Sequence, residues 1–337
     1  MPDRAYEFVQ LDVFTQTPLA GNPIAIFTDA RGLDDDEIQA LAREMNLSET
    51  TFILPRDPAT EAQEGKKVRI FTVAEELPFA GHPTLGTALH LYHAASSAPD
   101  KISLDLNVGK IDIRFRADSQ TVSGEGAEKQ HARRVRSPEE KAGRGRADGQ
   151  VFGEMRQRDP EFEVTFSREE VARVLGIAAD EILEPIQIVS TGFPFAIVGL
   201  RKQETMANLK FDNAQAADFL RNSDAKFFYF LCPQRHEGRL EARARMFFYG
   251  VEDPATGAAA GCAASWMVQH GIAKSDEQVR MRQGVEMRRP SEIHVRATRD
   301  GERVTNVRVG GYAVEVLRGT VRLGCQLEQS SAIPPPS

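Results

Sequence analysis

Glu49 is the residue around which a chemical reading of this sequence can be built. It stands in Asn46-Leu47-Ser48-Glu49-Thr50-Thr51, between an amphipathic helical pattern and an apolar strand that begins near Thr50. A carboxylate held partly out of water at such a turn can take a proton from carbon and return it, because desolvation brings its pKa toward the working pH. An exposed carboxylate at a helix–strand turn is the plainer reading, and composition alone favours it. Two more segments carry chemistry: Glu76-Leu77-Pro78-Phe79-Ala80-Gly81-His82-Pro83-Thr84 and Asp253-Pro254-Ala255-Thr256-Gly257-Ala258-Ala259, each opening an apolar helix with a glycine. The first N–H groups of a helix have no intrahelical acceptor and sit at the positive end of its dipole, so each start can hold an anion. Pro83 suits a first turn, and Thr256 is the expected N-cap. Taken singly, Asp253 could be a cap or ion-pair partner, His82 a structural hydrogen bonder and the glycines punctuation.

What joins these residues is a repeat, because a fold made of two similar halves leaves the same apolar and turn residues twice. Gly21-Asn22-Pro23-Ile24-Ala25-Ile26-Phe27 returns as Gly192-Phe193-Pro194-Phe195-Ala196-Ile197-Val198, and Phe52-Ile53-Leu54-Pro55 as Phe230-Leu231-Cys232-Pro233. Arg69-Ile70-Phe71-Thr72 with Glu76-Leu77-Pro78 and Gly81 aligns without a gap on Arg245-Met246-Phe247-Phe248 with Glu252-Asp253-Pro254 and Gly257. Short apolar strands do resemble one another by chance, but these pieces keep their order. If an approximate two-fold axis relates the halves, both helix starts converge on one cleft, where a small carboxylate is the natural guest. The repeat is asymmetric where it matters: the counterpart of Glu49 is Phe227, so one carboxylate is supplied.

Residues 34–45 read as a helix, with an acidic first turn, Ile38, Leu41, Ala42 and Met45 on one face, and Asn46 as its stop. Alternating strands follow the second helix of each half, giving an α+β pattern with antiparallel strands. The expected organisation is an N-terminal domain over 1–116, a flexible insertion over 117–150, a C-terminal domain over 151–329 whose terminal strands can pack back on the first, and a disordered tail over 330–337. The insertion is rich in Gly, Arg and Glu, a composition that cannot bury a core. His90, His93 and His270 fall inside or at the end of helices and read as structural or surface residues.

The chain has 337 residues, 41% of them hydrophobic, enough for two ordinary domains. A formal charge of -7 provides no basic field for nucleic acid or anionic lipid, so neither is an expected partner. The three cysteines, Cys232, Cys262 and Cys325, are too scattered for a disulfide framework or a zinc site. A reducing, cytoplasmic setting is expected, since the start lacks the continuous apolar core of a signal peptide. The stretch without Asp, Glu, Lys or Arg over 254–273 is too rich in Gly, Ala, Ser and Thr for a membrane span.

Taken in order, LDVFTQTPLAGNPIAIF, MNLSETTFILP, VRIFTVAEELPFAGHPTLGTALH, STGFPFAIVGL, EDPATGAA, MRRPS and VGGYAVEV resemble the PhzF family over nearly the whole chain. The best-known member of that family isomerises dihydro-hydroxyanthranilate in phenazine biosynthesis. The resemblance implies two pseudo-symmetric domains of the diaminopimelate-epimerase type, each a curled, mostly antiparallel sheet around a central helix, commonly in a homodimer. It implies that Glu49 is the general acid/base of a cofactor-independent isomerase acting on a small carboxylated substrate. Gly81 and His82 would line the pocket, with Asp253, Gly257 and Ala258 binding substrate. Three departures stand out. Ala258 replaces a Ser common in relatives, Arg288 stands where relatives often have Gly before Arg-Pro, and the 117–150 insertion is long. A two-base epimerase of the same fold is the nearest alternative, but it would place a cysteine at each helix start, and this chain has none there. A non-catalytic binding homologue is the other.

Overall fold

The computed structural model describes residues 4–117, 150–248 and 250–324; most of the 117–150 insertion and the 330–337 tail lie outside the described residues. The first half runs β1 (Arg4–Val13), β2 (Asn22–Phe27), α1 (Asp35–Met45), β3 (Thr50–Leu54), α2 (Pro58–Glu64), β4 (Lys66–Phe71), β5 (Glu76–Leu77), α3 (Gly81–Ala94), β6 (Lys101–Leu106), β7 (Gly109–Ala117) and β8 (Val151–Arg156). Then come β9 (Glu161–Phe166) and α4 (Arg168–Leu175), followed by β10 (Ile182–Ser190), β11 (Pro194–Leu200), α5 (Gln203–Ala207), α6 (Asn213–Leu220), β12 (Phe228–His236), β13 (Arg239–Phe248), β14 (Val251–Glu252), α7 (Gly257–Gln269), β15 (Val279–Gln283), β16 (Ser291–Asp300), β17 (Arg303–Gly311) and β18 (Ala313–Leu323).

The two halves repeat one pairing scheme. β1–β2 is antiparallel, β2–β3 parallel, β3–β4 antiparallel and β4–β6 parallel. Equivalent strands follow suit, with β10–β11 antiparallel, β11–β12 parallel, β12–β13 antiparallel and β13–β15 parallel. Register agrees as well: Ala25 pairs with Thr50 and Ala196 with Phe228, so Glu49 and Phe227 hold the same place, one residue before equivalent strands. Each sheet curls around its own helix. In α3 the residues from Gly81 to Leu89 are buried, and in α7 nearly every residue to Val268 is. Leu85 and Leu89 share one core with Ala263, Trp266 and Met267, each large side chain contributing roughly 1.5–3 kcal/mol on burial. The indole of Trp266 donates to Pro185 O at 3.0 Å, which removes the cost of burying its N–H.

Strands cross between the halves in both directions. β18 pairs with β1, and β9 takes the matching place beside β10, so each sheet is completed by a strand from outside its own repeat. β8 pairs with β7 on one side and β17 on the other, joining the sheets. At that junction Gly310 faces Gly153, where a Cβ would lie 2.6 Å from the Gly153 carbonyl oxygen. Residues 151–156, expected at the start of the C-terminal domain, thus pair with strands of both halves.

Helix α1 forms as its residues dictate. Asp34 caps it and closes a capping box with Glu37, and Asn46 ends it in the left-handed conformation at φ 50°. Among the described residues no helix is long and apolar enough to cross a membrane.

Candidate active site

Repeated ion pairs set the two helix starts. Arg69 on β4 holds Glu76 on β5 through two hydrogen bonds of 2.8 and 2.7 Å, and its counterpart Arg245 on β13 holds Glu252 on β14 at 2.8 and 2.9 Å. Such bidentate pairs fix orientation as well as distance. Each clamp precedes a helix start by a few residues, so the starts are tied to β4 and β13, whose inward residues pack in the core. They meet. A Cβ on Gly81 would lie 3.3 Å from Ala258 N and 3.5 Å from Gly257 C, so a side chain here would crowd the second helix start.

Around this meeting point stand Glu49, His82 and Asp253. The αL turn at Asn46 reverses the chain after α1 and brings Glu49 to the mouth of α3. There its Oε2 lies 3.7 Å from Nδ1 of His82, the second residue of that helix. Both side chains are largely withdrawn from water, Glu49 at 15% and His82 at 5% exposure. Glu49 Oε2 and His82 Nε2 have no hydrogen-bond partner among the described residues. Unsatisfied buried polar atoms are costly in a folded protein, and their clustering here singles out this place as the candidate site.

Asp253 reaches the cluster from the second half. Its Oδ1 accepts from Asn22 Nδ2 at 2.9 Å, and Asn22 Nδ2 also meets Ala255 O at 3.0 Å and lies 3.5 Å from His82 Nδ1. The hydroxyl of Thr256 donates to the other carboxylate oxygen, Oδ2. Thr256 holds the expected N-cap position of α7, and its hydroxyl is engaged by Asp253 in place of a side-chain cap bond. The loop is braced from below by buried Gln283, whose Nε2 donates to Asp253 O at 2.8 Å and to Thr256 Oγ1 at 2.9 Å. Its Oε1 accepts from Tyr229 OH at 3.0 Å. A second brace holds the Asn22 turn. Arg289 donates to Asp12, Gly21 O and Ala20 O at 2.6, 2.9 and 2.9 Å, and Asp12 is 1% exposed.

Burial moves all three ionisable groups toward their neutral forms. It raises Glu49 to about 8, with the charge of Asp253 adding to the effect. Asp253 rises to about 6 from burial, opposed by its bonds to Thr256, Ala255 and Asn22. Burial lowers His82 to about 3 against the opposing effect of a backbone hydrogen bond at Pro23, so the imidazole is neutral. A neutral imidazole, a carboxyl that titrates near the working range and a fixed carboxylate are the parts needed for proton transfer at carbon.

All six residues singled out in the sequence, Glu49, Gly81, His82, Asp253, Gly257 and Ala258, meet at this one place. Asn22, Gln283 and Tyr229 were missed. For Asn22 the signal was present, a polar residue in one copy of a repeat whose other copy has Phe193. Cys262 lies in the second turn of α7, buried, 3.4 Å from Thr191 Oγ1, with its thiol pushed up to about 11 by burial. It is unfit for a thiolate base. Among the described residues no cluster of three or more His, Cys, Asp or Glu could hold a metal. Arg288 adopts the left-handed conformation at φ 60°, a backbone setting that favours glycine. His270 bonds Gln187 at 3.0 Å, away from the cluster.

Comparison with known proteins places this geometry. The family described as phenazine biosynthesis-like protein (PhzC-PhzF) matches residues 11–319. The trans-2,3-dihydro-3-hydroxyanthranilate isomerase of Pseudomonas aeruginosa is 33% identical over 322 residues, covering 94% of this chain and all of that protein. An uncharacterized isomerase of Mesorhizobium japonicum is 31% identical over 326 residues, covering 93% and 97%. The crystal structure of a Bacillus anthracis phenazine biosynthesis protein of the PhzF family superposes with a TM-score of 0.77 at 23% identity, covering 94% of this chain and 99% of that one. With its duplicated sheets and central helices, the chain belongs to the PhzF family of phenazine biosynthesis-like isomerases.

Proposed function

We propose that this isomerase shifts a proton between two carbons of a small, conjugated carboxylate, with Glu49 as the single acid/base. The observation that carries the reading is the Glu49 carboxyl itself: withdrawn from water, without a partner for Oε2, raised to about 8, and set at the meeting point of two helix starts. As carboxylate, Glu49 removes a proton from a saturated carbon, and the released electron pair moves into the adjoining π system. As carboxylic acid, it returns that proton to the far carbon of the same system. Atoms and charge balance without redox chemistry or a cofactor.

The substrate's carboxylate is held by the first N–H groups of α3 and α7, where the two dipoles add. Neutral His82 donates to negative charge that develops during the shift, which is worth more in a site closed to water. Asp253, oriented by Asn22 and Thr256, accepts from a substrate amino or hydroxyl group. The relatives named above suggest trans-2,3-dihydro-3-hydroxyanthranilate as the first compound to try. Ala258, in place of a Ser common among relatives, argues for a different natural substrate. A homodimer in the cytoplasm is part of the same proposal, supported by the family resemblance and by the few, scattered cysteines.

The test is deuterium uptake from heavy water by small cyclic and amino carboxylates, read by mass spectrometry or NMR. Glu49→Gln keeps shape and hydrogen bonding but cannot cycle a proton, so exchange falls by about 10²–10⁴ while ligand binding persists. Equal exchange in mutant and wild type removes Glu49 from the mechanism.

A further inference from the structure

The pseudo-two-fold axis gives the cleft two corners that should match, and they differ in chemistry. One is built from Glu49, Asn22 and His82 of the first half and Asp253 of the second. Strand register and helix starts place Phe227, Phe193 and Ala258 of the second half, with Leu77 of the first, at the corresponding positions. Every polar group of the acid–base corner has an apolar counterpart. Phe227, Leu77 and Ala258 are partly buried against the same core that holds the two helices. Phe227 lies between two other rings, stacked on Phe193 with centroids 6.2 Å apart and tilted against Phe248 at 4.9 Å. The outer two rings stay open to solvent, Phe193 at 40% and Phe248 at 37% exposure. At the matching places the first half has Asn22 and Thr72, so this aromatic run belongs to one corner alone.

Resting on the proposed proton transfer, we infer that Phe193 and Phe227 form a specificity wall that receives the planar, unsaturated ring of the substrate. The carboxylate then sits at the helix starts and the reacting carbons face Glu49. An open aromatic edge one residue from the strand that begins at Phe228 costs free energy in the empty protein, because apolar area stays in water. A ring laid on it recovers that area and gains the 0.5–1.5 kcal/mol typical of aromatic pairs. A polar, acyclic carboxylate recovers neither. The wall thus selects a cyclic, conjugated carboxylate over amino acids with small or charged side chains.

Calorimetry with planar aromatic carboxylates, such as 3-hydroxyanthranilate and benzoate, and with acyclic malate tests this on wild type, Glu49→Gln, Phe227→Ala, Phe227→Leu and Phe193→Ala. Melting curves confirm that each variant is folded. Wild type and Glu49→Gln bind the aromatic carboxylates alike and more tightly than malate. Phe227→Ala weakens the aromatic ligands by about tenfold or more, Phe227→Leu by less, and malate binding does not change. Equal aromatic affinity in wild type and both alanine variants overturns the wall, as does a wild type that prefers malate or binds no carboxylate. Alanine variants that keep their affinity but turn a dimer into monomers would assign the patch to a second copy of the chain and also overturn it. The mechanism is judged separately: Glu49→Gln that binds the ring yet still exchanges deuterium refutes the acid/base role and leaves the wall standing.

Discussion

If burial raises Glu49 to about 8, keeping that carboxyl ionised inside the fold costs free energy that the unfolded chain does not bear. Against an ordinary value of 4.5, the rise amounts to about 5 kcal/mol at full ionisation, at 1.36 kcal/mol per pH unit. The sign follows from proton counts. Between about pH 4.5 and pH 8 the native protein holds this proton and the unfolded chain does not, so Glu49's contribution to stability falls as pH rises and levels off above pH 8. Glu49→Gln removes the titration. Relative to wild type, the variant therefore gains roughly 2–3 kcal/mol between about pH 6 and pH 9, most of it before pH 8. Urea denaturation of the two proteins across that range, with equal m-values, measures the difference directly. Stability curves that run parallel from pH 6 to pH 9 would refute the buried, high-pKa carboxyl, and with it the physical basis for Glu49 as a base near neutrality.

Three further outcomes are expected. The kcat/KM of wild type rises with pH through about 8, and Asp253→Asn, by removing a negative charge that raises Glu49, moves that limb to lower pH; an unmoved limb in a pH–rate profile refutes the coupling. Ala258→Ser adds a donor at the start of α7 and increases turnover of dihydro-hydroxyanthranilate by roughly ten- to a hundredfold, the worth of a hydrogen bond to a charged group; full activity of the unaltered chain on that compound refutes the claim. Arg288→Gly relieves a left-handed residue and stabilises the fold by about 1 kcal/mol in chemical denaturation, whereas a loss of stability would show that the arginine side chain holds the turn.

Much of the site was legible because it is local and repeated. The two glycine starts each lie in one short segment and recur in the duplication, which points to one shared place. Glu49, with Phe227 as its counterpart, is singled out by its break in the repeat and by the family resemblance. What escaped was long-range or relational. Asn22 acts on Asp253, more than two hundred residues away, and Arg289 reaches back to Asp12; no periodicity marks such pairs. Thr256 takes the N-cap position expected from the sequence, but the acceptor that its hydroxyl finds, Asp253, is set by the fold of the loop. The exchange of β9 and β18 was half visible, as strands able to pack back on the first domain. The mirror-image crossing of β9 was not, because alternation marks a strand without naming its neighbour.

That exchange also governs the order in which the chain can finish itself. β1 is made first and is flanked by β2 and β18, so one of its edges stays open until residues 313–323 have left the ribosome. By then Glu49, His82 and Asp253 have long been synthesised, yet the sheet behind the first two lacks a strand. Such late closure of so distant a pairing slows folding and leaves a backbone edge able to capture other chains during synthesis. The charged residues Arg4 and Glu7 on β1 and Arg318 and Arg322 on β18 make both edges poor templates for foreign strands until they find each other.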